Sequence, residues 1–367
     1  MRDPSLTNST RVKSNREAQA SKRGDLISLE EQSPRIASVS IESPITDDLS
    51  LKDRFLRPRT FISFAVALIF LYLLATQIDI DFRQVWSNIQ QANLALYLTA
   101  IVVYYASFAA RGYRWRRLLN NTGIQVSQIP RVRDLAEIIY LSWFANSLVP
   151  AKLGDLYRGY LLKKISGLSF SVSMGTVIAE RLLDFVILVI LMGIAGLVSY
   201  QGRLPPTILQ LLAIAFTIVG LVLVGLILMR RLDERINRRL PDKFGNLYAR
   251  FSGAMLLSFQ NFPELLTETL LAWACEAARV LFVIMALGIS LPWSMVLFLG
   301  LLAALLTTLP LTPGGLGFAE AGLTGVLILY GLDKDTASSI ALLDRTISYL
   351  SLVLGGFVVY LVSNKTK

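Results

Sequence analysis

Acidic and basic side chains lie inside several of the most apolar segments of this sequence. A charge at the centre of a bilayer costs at least ~2.5–3.5 kcal/mol, so a charge placed there usually serves a function. Guanidinium groups bind phosphate through two parallel hydrogen bonds, and arginines at this depth are therefore predicted to contact an anionic headgroup. The alternative is that the acids and arginines only pair with one another and lock a helix bundle together. The pairs in question are Glu180-Arg181, Glu276 with Arg279, and Asp344-Arg345.

Two apolar segments are interrupted by proline and glycine. Residues 150–154 read PAKLG, and residues 313–317 read PGGLG. Helix breakers at membrane depth are tolerated only where protein or a water-filled cavity covers the freed backbone groups. The breaks therefore predict two re-entrant helical hairpins, at about 135–166 and 293–331.

The two broken regions resemble each other beyond the break itself. An acid followed by arginine lies 26 residues after Gly154 (180 − 154) and 27 residues after Gly317 (344 − 317). Three full crossings between the hairpins would make them enter from opposite faces, as in inverted-repeat transporters. Chance similarity of two Pro/Gly turns is the alternative, and the matched acid–arginine pairs argue against it.

The predicted substrate-binding residues lie in the two breaks, at the starts of the helices after them, and on charged helix faces near the midplane. Glycines would let a headgroup approach the backbone, and half-helices beginning near Asp155 and Leu316 would offer free N–H groups to an anion. Arg181 is predicted to pair with Asp184, three residues further along its helix. The complete set is Asn146, Lys152, Gly154, Asp155, Arg158, Glu180, Arg181, Asp184, Glu276, Arg279, Gly314, Gly315, Gly317, Glu320, Asp344 and Arg345.

The composition excludes several classes of chemistry. The chain has no histidine and a single cysteine, Cys275, which argues against a Ser-His-Asp triad, a haem histidine or a Cys/His zinc site. No P-loop is present, so ATP is not expected to drive transport. No cofactor or metal is predicted. The net charge of +10 does not indicate nucleic acid, because the basic residues cluster in short links between apolar segments.

These motifs require an all-α polytopic membrane protein. Residues 1–59 are polar and predict a disordered cytoplasmic tail, followed by a transmembrane domain over 60–363. Arg111 and Arg114 are assigned to an inner link, and the charge of every link fits an N-in/C-in protein of the cytoplasmic (inner) membrane. Six apolar segments are predicted as full transmembrane helices beside the two hairpins: 60–78, 94–110, 171–199, 206–229, 264–289 and 337–362.

The order and spacing of these motifs over about 60–362 resemble the lysylphosphatidylglycerol synthase transmembrane region, also called the flippase-like domain family. The resemblance rests on Asn146 and the PAKLG turn, the run from Glu180 to Asp184, the PGGLG turn with Glu320, and Arg345. Gly154-Asp155 departs conservatively from the family's Arg-Glu type of ending. In two-domain members the membrane part is thought to move aminoacylated phosphatidylglycerol between leaflets, and a C-terminal soluble domain makes that lipid. We expect this synthetic domain to be absent, so the resemblance implies a stand-alone lipid translocator that is not an aminoacyl transferase.

The leading hypothesis is a flippase or scramblase for an anionic phospholipid such as phosphatidylglycerol, or for a lipid-linked sugar. Transport would be downhill or coupled to an ion, with Glu180, Asp184 or Glu320 as candidate proton carriers. One alternative is a membrane-embedded glycosyltransferase with a lipid-phosphate sugar donor, suggested by the two aspartates of residues 79–81. Another is a non-transporting scaffold of the cell envelope. The expected partners are membrane lipids with anionic headgroups and not nucleic acid, with a homo-oligomer or an envelope-biosynthesis enzyme as further candidates.

Overall fold

A computed structural model describes residues 80–149, 152–308 and 312–366, together with the single positions 65, 69, 72 and 76. The described residues form helices and no strand, as the sequence predicts. The tail predicted over 1–59 lies outside them. The helices are, in chain order, α1 Phe82–Gln90, α2 Leu94–Asn121, α3 Val132–Leu148, α4 Leu153–Ser166, α5 Phe170–Ser199, α6 Pro206–Arg239, α7 Asp242–Leu257, α8 Phe262–Ala286, α9 Trp293–Thr308, α10 Phe318–Leu329, α11 Lys334–Arg345 and α12 Leu352–Val362.

Five helices within the described residues are long and apolar enough to cross a bilayer. They are α2, α5, α8, most of α6, and the continuous helix Lys334–Val362. The last of these joins α11 to α12 through a π-helical turn at Thr346–Ser351. These helices coincide with five of the six predicted crossings. The predicted crossing at 60–78 lies outside the described residues, except for four positions that are helical.

Helix α2 runs well past the predicted end of its apolar segment. The prediction placed Arg111 and Arg114 in a link after residue 110, and this is wrong, because both lie within α2 and are buried. The apolar pattern ends where these charges begin, but the helix continues because acids on α5 and α8 neutralise them. Only from Arg116 onward are the helix's arginines partly exposed.

Both predicted helix breaks are present. Helices α3 and α4, of 17 and 14 residues, flank residues 149–152 and pack against each other. Helices α9 and α10, of 16 and 12 residues, flank residues 309–317 and also pack against each other. Each is shorter than the roughly 20 residues that cross a hydrocarbon core. Positive φ angles at Lys152, Gly314 and Gly317 redirect the backbone at the two breaks.

Helices α2 and α8 form the most extensive helix contact and lie at the centre of the bundle. Trp115, Leu118 and Leu119 on α2 are fully buried there. Helix α6 is peripheral and leaves large apolar side chains exposed, including Leu221 and Val224. An exposed apolar helix beside a packed centre is what a bilayer, rather than water, accommodates.

Candidate functional site

A cavity of about 120 Å³, lined by charged and apolar side chains, lies between the two helix breaks. Its wall carries five basic side chains and two acidic ones, together with tryptophan, tyrosine and hydroxyl groups. The charged groups on the wall are Arg111, Lys152, Arg181, Asp184, Glu276, Arg279 and Arg345.

Half of the sixteen predicted site residues lie on this wall, and the other half lie behind it. Those on the wall are Asn146, Lys152, Arg181, Asp184, Glu276, Arg279, Gly314 and Arg345. Those behind it are Gly154, Asp155, Arg158, Glu180, Gly315, Gly317, Glu320 and Asp344. Four of the residues behind the wall are acids, and each binds an arginine of the cluster. Their role in binding a substrate remains a prediction.

Arg181 reaches the start of α4. Its Nη2 donates to Oδ1 of Asp155 at 2.8 Å, and its Nε donates to Oδ2 at 3.1 Å. The predicted pairing of Arg181 with Asp184 on the same helix is therefore wrong. Helix α4 packs on α5 closely enough to offer a carboxylate in a bidentate position, which one turn of α5 does not.

Arg114 is completely buried and binds two acids on α5. Its Nη1 donates to Asp184 at 2.5 Å, and its Nη2 donates to Asp184 at 2.9 Å and to Glu180 at 3.0 Å. Arg158 on α4 donates to both oxygens of Glu180, at 3.2 and 2.7 Å. Sequence analysis missed Arg114. Its spacing of three residues from Arg111 would have indicated that both arginines lie on one helix face. The prediction missed this because it ended the helix with the apolar segment, before either arginine.

A second cluster joins α2, α8 and α11. The predicted i,i+3 pair is confirmed, with Arg279 Nη2 donating to Oε2 of Glu276 at 3.2 Å. Arg279 also donates to Asp344 through Nη1. The other oxygen of Glu276 accepts from Arg111 at 2.9 Å. Glu276 therefore lies between two arginines, and its bond to Arg111 connects α8 to α2.

Arg345 sits at the end of α11, beside the second break. Its Nε donates to Oε1 of Glu320 at 2.8 Å, and its Nη2 donates to the Gly314 carbonyl at 2.8 Å. The Tyr349 ring lies 5.2 Å from the guanidinium carbon. The π-helical turn that follows Arg345 carries Ser348 and Tyr349, which both line the cavity. π-Helical turns often mark functional sites.

Aromatic rings cover most of the remaining arginine faces, and sequence analysis did not identify them. The Arg111 guanidinium carbon lies 4.6 Å from the Trp143 ring centroid and 5.8 Å from that of Trp273. That of Arg158 lies 3.8 Å from Trp115. Such cation–π contacts strengthen when the cation is desolvated.

Lys152 connects the two breaks. Its backbone is left-handed, with φ 55°, and its Nζ donates to the Thr307 carbonyl at the end of α9 at 2.8 Å. Within the described residues it forms no salt bridge. The expectation that α4 begins with free N–H groups is wrong, because the Gly154 N–H donates to Oδ1 of Asn146 and the Asp155 N–H donates to the Lys152 carbonyl.

The charges of the whole cluster nearly cancel. Seven basic and six acidic side chains leave a formal surplus of one positive charge, and the acids lie mostly behind the cations. The cavity therefore presents a cationic wall suited to an anion. The basic members are Arg111, Arg114, Lys152, Arg158, Arg181, Arg279 and Arg345, and the acidic members are Asp155, Glu180, Asp184, Glu276, Glu320 and Asp344.

The fold and the cavity define a helical membrane protein with an arginine-lined site between its helices. Comparison with known families assigns the chain within that class. The sequence model of the family described as the lysylphosphatidylglycerol synthase TM region matches residues 60–356. The chain belongs to this family, as the resemblance of its motifs indicated.

Curated relatives include several UPF0104 membrane proteins. A UPF0104 membrane protein of Methanocaldococcus jannaschii is 34% identical over 219 residues, which are 60% of this chain and 94% of that protein. A UPF0104 membrane protein of Methanothermobacter thermautotrophicus is 27% identical over 307 residues, 77% of this chain and 88% of its own length. The glycosyltransferase AglD of Haloferax volcanii is 24% identical over 348 residues, 84% of this chain but 55% of that protein.

Proposed function

We propose that this protein binds an anionic phospholipid or a lipid-linked sugar by its phosphate and moves it across the cytoplasmic membrane. The observation that carries the proposal is the cavity itself, where Arg181, Arg279 and Arg345 line one space between two helix breaks. Arginine is the side chain best suited to phosphate. A cavity with cationic side chains at this depth would spare an anionic headgroup the cost of entering hydrocarbon.

An inverted repeat is supported by the ion pairs of the two halves, which match in role and spacing. Arg114 on α2 binds Glu180, 66 residues later, and Arg279 on α8 binds Asp344, 65 residues later. Each half also has an acid just after its break that binds an arginine on the following long helix. These pairs are Asp155–Arg181, 26 residues apart, and Glu320–Arg345, 25 residues apart.

One of the ion pairs between the two units, α2–α5 and α8–α11, joins equivalent positions of the two. Arg111 lies three residues before Arg114, and Glu276 lies three residues before Arg279. These two equivalent positions bind each other, at 2.9 Å. A pair of equivalent positions in contact is expected on the axis that relates two repeats. Transporters built this way move one repeat against the other around a fixed central site.

In the bilayer, we place α3–α4 and α9–α10 as re-entrant hairpins beside six full crossings, with both termini in the cytoplasm. The short lengths of these four helices and the basic residues near the end of α6 support this arrangement. We propose no aminoacyl transfer for this chain, and exchange that is downhill or coupled to an ion.

Leaflet exchange by purified protein tests the proposal. Arg181→Ala and Arg345→Ala are expected to lower the exchange of fluorescent phosphatidylglycerol in liposomes at least tenfold, because each removes a phosphate ligand from the cavity wall. Arg117→Ala removes a more exposed arginine, paired with Glu264 and Glu268, and serves as the matched control. Unchanged exchange by folded Arg181 and Arg345 variants would refute the site.

A glycosyltransferase that uses a lipid-phosphate sugar is the second candidate, favoured by the name of the Haloferax relative. Asp81, one of the two aspartates suggested for this chemistry, caps α1 by accepting the N–H groups of Arg83 and Gln84. That role is structural. Purified protein given a polyprenyl-phosphate sugar, an acceptor and Mg²⁺ would release the polyprenyl phosphate if it were a transferase. The translocator proposal expects the donor to remain intact.

A further inference from the structure

The six acids of the central cluster differ in how fully their oxygens are hydrogen-bonded. Five of them receive a donor on both carboxylate oxygens. Glu320 receives one on Oε1, from Arg345, while its Oε2 is buried and has no hydrogen-bond partner within the described residues. The fully bonded acids are Asp155, Glu180, Asp184, Glu276 and Asp344.

Few other ionisable groups face Glu320, which is 4% exposed. From α11 it meets Arg345, and from the π-helical turn it meets Tyr349, whose hydroxyl donates to the Ser147 carbonyl. Helix α9 and the break at 312–317 carry no ionisable side chain, and Glu320 is the only one on α10. Arg345 is therefore the only charged donor to Glu320 within the described residues, and Oε2 is a buried oxygen that is left without a donor.

We propose that Glu320 is a proton-binding site that couples protons to anion binding by Arg345, an inference that rests on the proposed function. The proton adds to Oε2, an O–H bond forms, and the charge of the carboxylate is lost. Arg345 then has no ionic partner on its inner side, and its guanidinium faces the cavity with its full positive charge. Release of the phosphate lets Glu320 give up its proton and bind Arg345 again.

The consequence is that one proton and one lipid anion enter the site together. Their binding is cooperative, and by linkage each raises the affinity of the other by the same factor. The pair is electrically neutral, which suits passage through a bilayer. A gradient of one pH unit would therefore enrich an anionic lipid in the leaflet on the alkaline side, up to a limit of about tenfold.

Proteoliposomes loaded with fluorescent phosphatidylglycerol and given a pH gradient provide the test. Wild-type protein is expected to enrich the lipid on the alkaline side and to carry protons with it, detected by a pH dye inside the vesicles. Glu320→Gln mimics the protonated acid, and the exchange that it supports should not respond to the gradient. Glu320→Asp keeps the carboxylate and should restore the response. Glu264→Gln, a variant of an exposed acid, should behave as wild type.

Binding of the same lipid in detergent provides a second measurement that does not need transport. Wild-type affinity should fall as the pH rises, by up to about tenfold per pH unit, and the affinity of Glu320→Gln should be the same at all pH values. Wild-type affinity that does not change with pH would overturn the inference. Lipid exchange that does not respond to the pH gradient and carries no protons would also overturn the inference, while leaving the proposed function intact. Absence of any exchange, with binding still dependent on pH, would refute translocation alone.

Discussion

At the scale of single residues, Arg114 is the member of the cluster whose replacement should lower the stability of the protein most. It is fully buried and donates to two acids, and Asp184 has no other salt bridge within the described residues. Arg114→Ala should therefore destabilise the protein by about 3–5 kcal/mol, because it leaves buried negative charge uncompensated. Denaturant unfolding in detergent measures this.

Two variants sharpen that experiment. Arg114→Lys keeps the charge but cannot donate in the same fork, so it should recover part of the loss. Arg117→Ala, which breaks a partly exposed pair, should change the unfolding free energy by no more than ~1 kcal/mol. Equal losses for the Arg114 and Arg117 substitutions to alanine would show that burial does not distinguish the two sites.

The sequence predicts single residues less well than it predicts helix breaks. Proline and glycine act locally, so the break before Gly154 could be predicted without knowing its neighbours. The partner of Arg181 could not, because Asp155 lies on another helix and only the packing of α4 on α5 brings the two together. Arg111 was misplaced for the same reason, since the acid that neutralises it, Glu276, is distant in sequence.

At the scale of helices, the contact between α3 and α4 depends on Gly154. A Cβ added there would lie 2.0 Å from the Ser142 carbonyl oxygen, which no real side chain tolerates. Gly154→Ala should push α4 away from α3 and lower stability by about 1–3 kcal/mol, as overpacking does. It should also weaken lipid exchange, because Asp155 and its partner Arg181 would move with α4.

A matched glycine gives the control. Gly220 lies inside α6, and a Cβ there would meet no atom within 4 Å. Gly220→Ala should leave exchange unchanged and raise stability slightly, by up to ~1 kcal/mol, because alanine is the better helix former. Thermal unfolding of both variants in detergent separates a packing effect from a general effect of removing glycine. A Gly154→Ala protein as stable as wild type would contradict the close contact.

The end of α12 is tied to the start of α3 by an ionic contact. Lys365 Nζ donates to Asp134 at 3.0 Å and also to Glu137. Burial alone would lower the pKa of Lys365, but the hydrogen bonds from Lys365 to Glu137 and Asp134 outweigh burial and raise it above its usual 10.5. The contact should therefore be fully formed below pH 10.5 and lost only as the pH rises through this raised value.

Hydrogen exchange over residues 363–366 can follow this contact. Wild-type protein should exchange more slowly than Lys365→Ala at neutral pH, and the difference should vanish in strong alkali. The comparison at each pH removes the intrinsic effect of base on exchange. A difference already lost near neutral pH would mean that Lys365 does not hold the chain end.

At the scale of the whole molecule, the proposed arrangement in the membrane makes the two ends of α6 face opposite sides. The link before α6 contains Arg203 alone among basic residues, whereas its last turns carry a basic cluster that includes Arg239. Short basic links remain in the cytoplasm. Both residues are exposed. The single native cysteine, Cys275, can be replaced so that only an introduced cysteine reacts with the label.

Arg203→Cys and Arg239→Cys, each in a Cys275→Ala background, should then react differently in intact cells. A membrane-impermeant maleimide should label position 203 directly and position 239 only after lysis, because α6 crosses the bilayer between them. This orientation also determines the face from which each proposed hairpin enters. Hairpin α3–α4 would enter from the cytoplasmic face, and hairpin α9–α10, three crossings later, from the outer face. Labelling of both positions in intact cells would contradict the proposed opposed hairpins and the proposed translocation that depends on them.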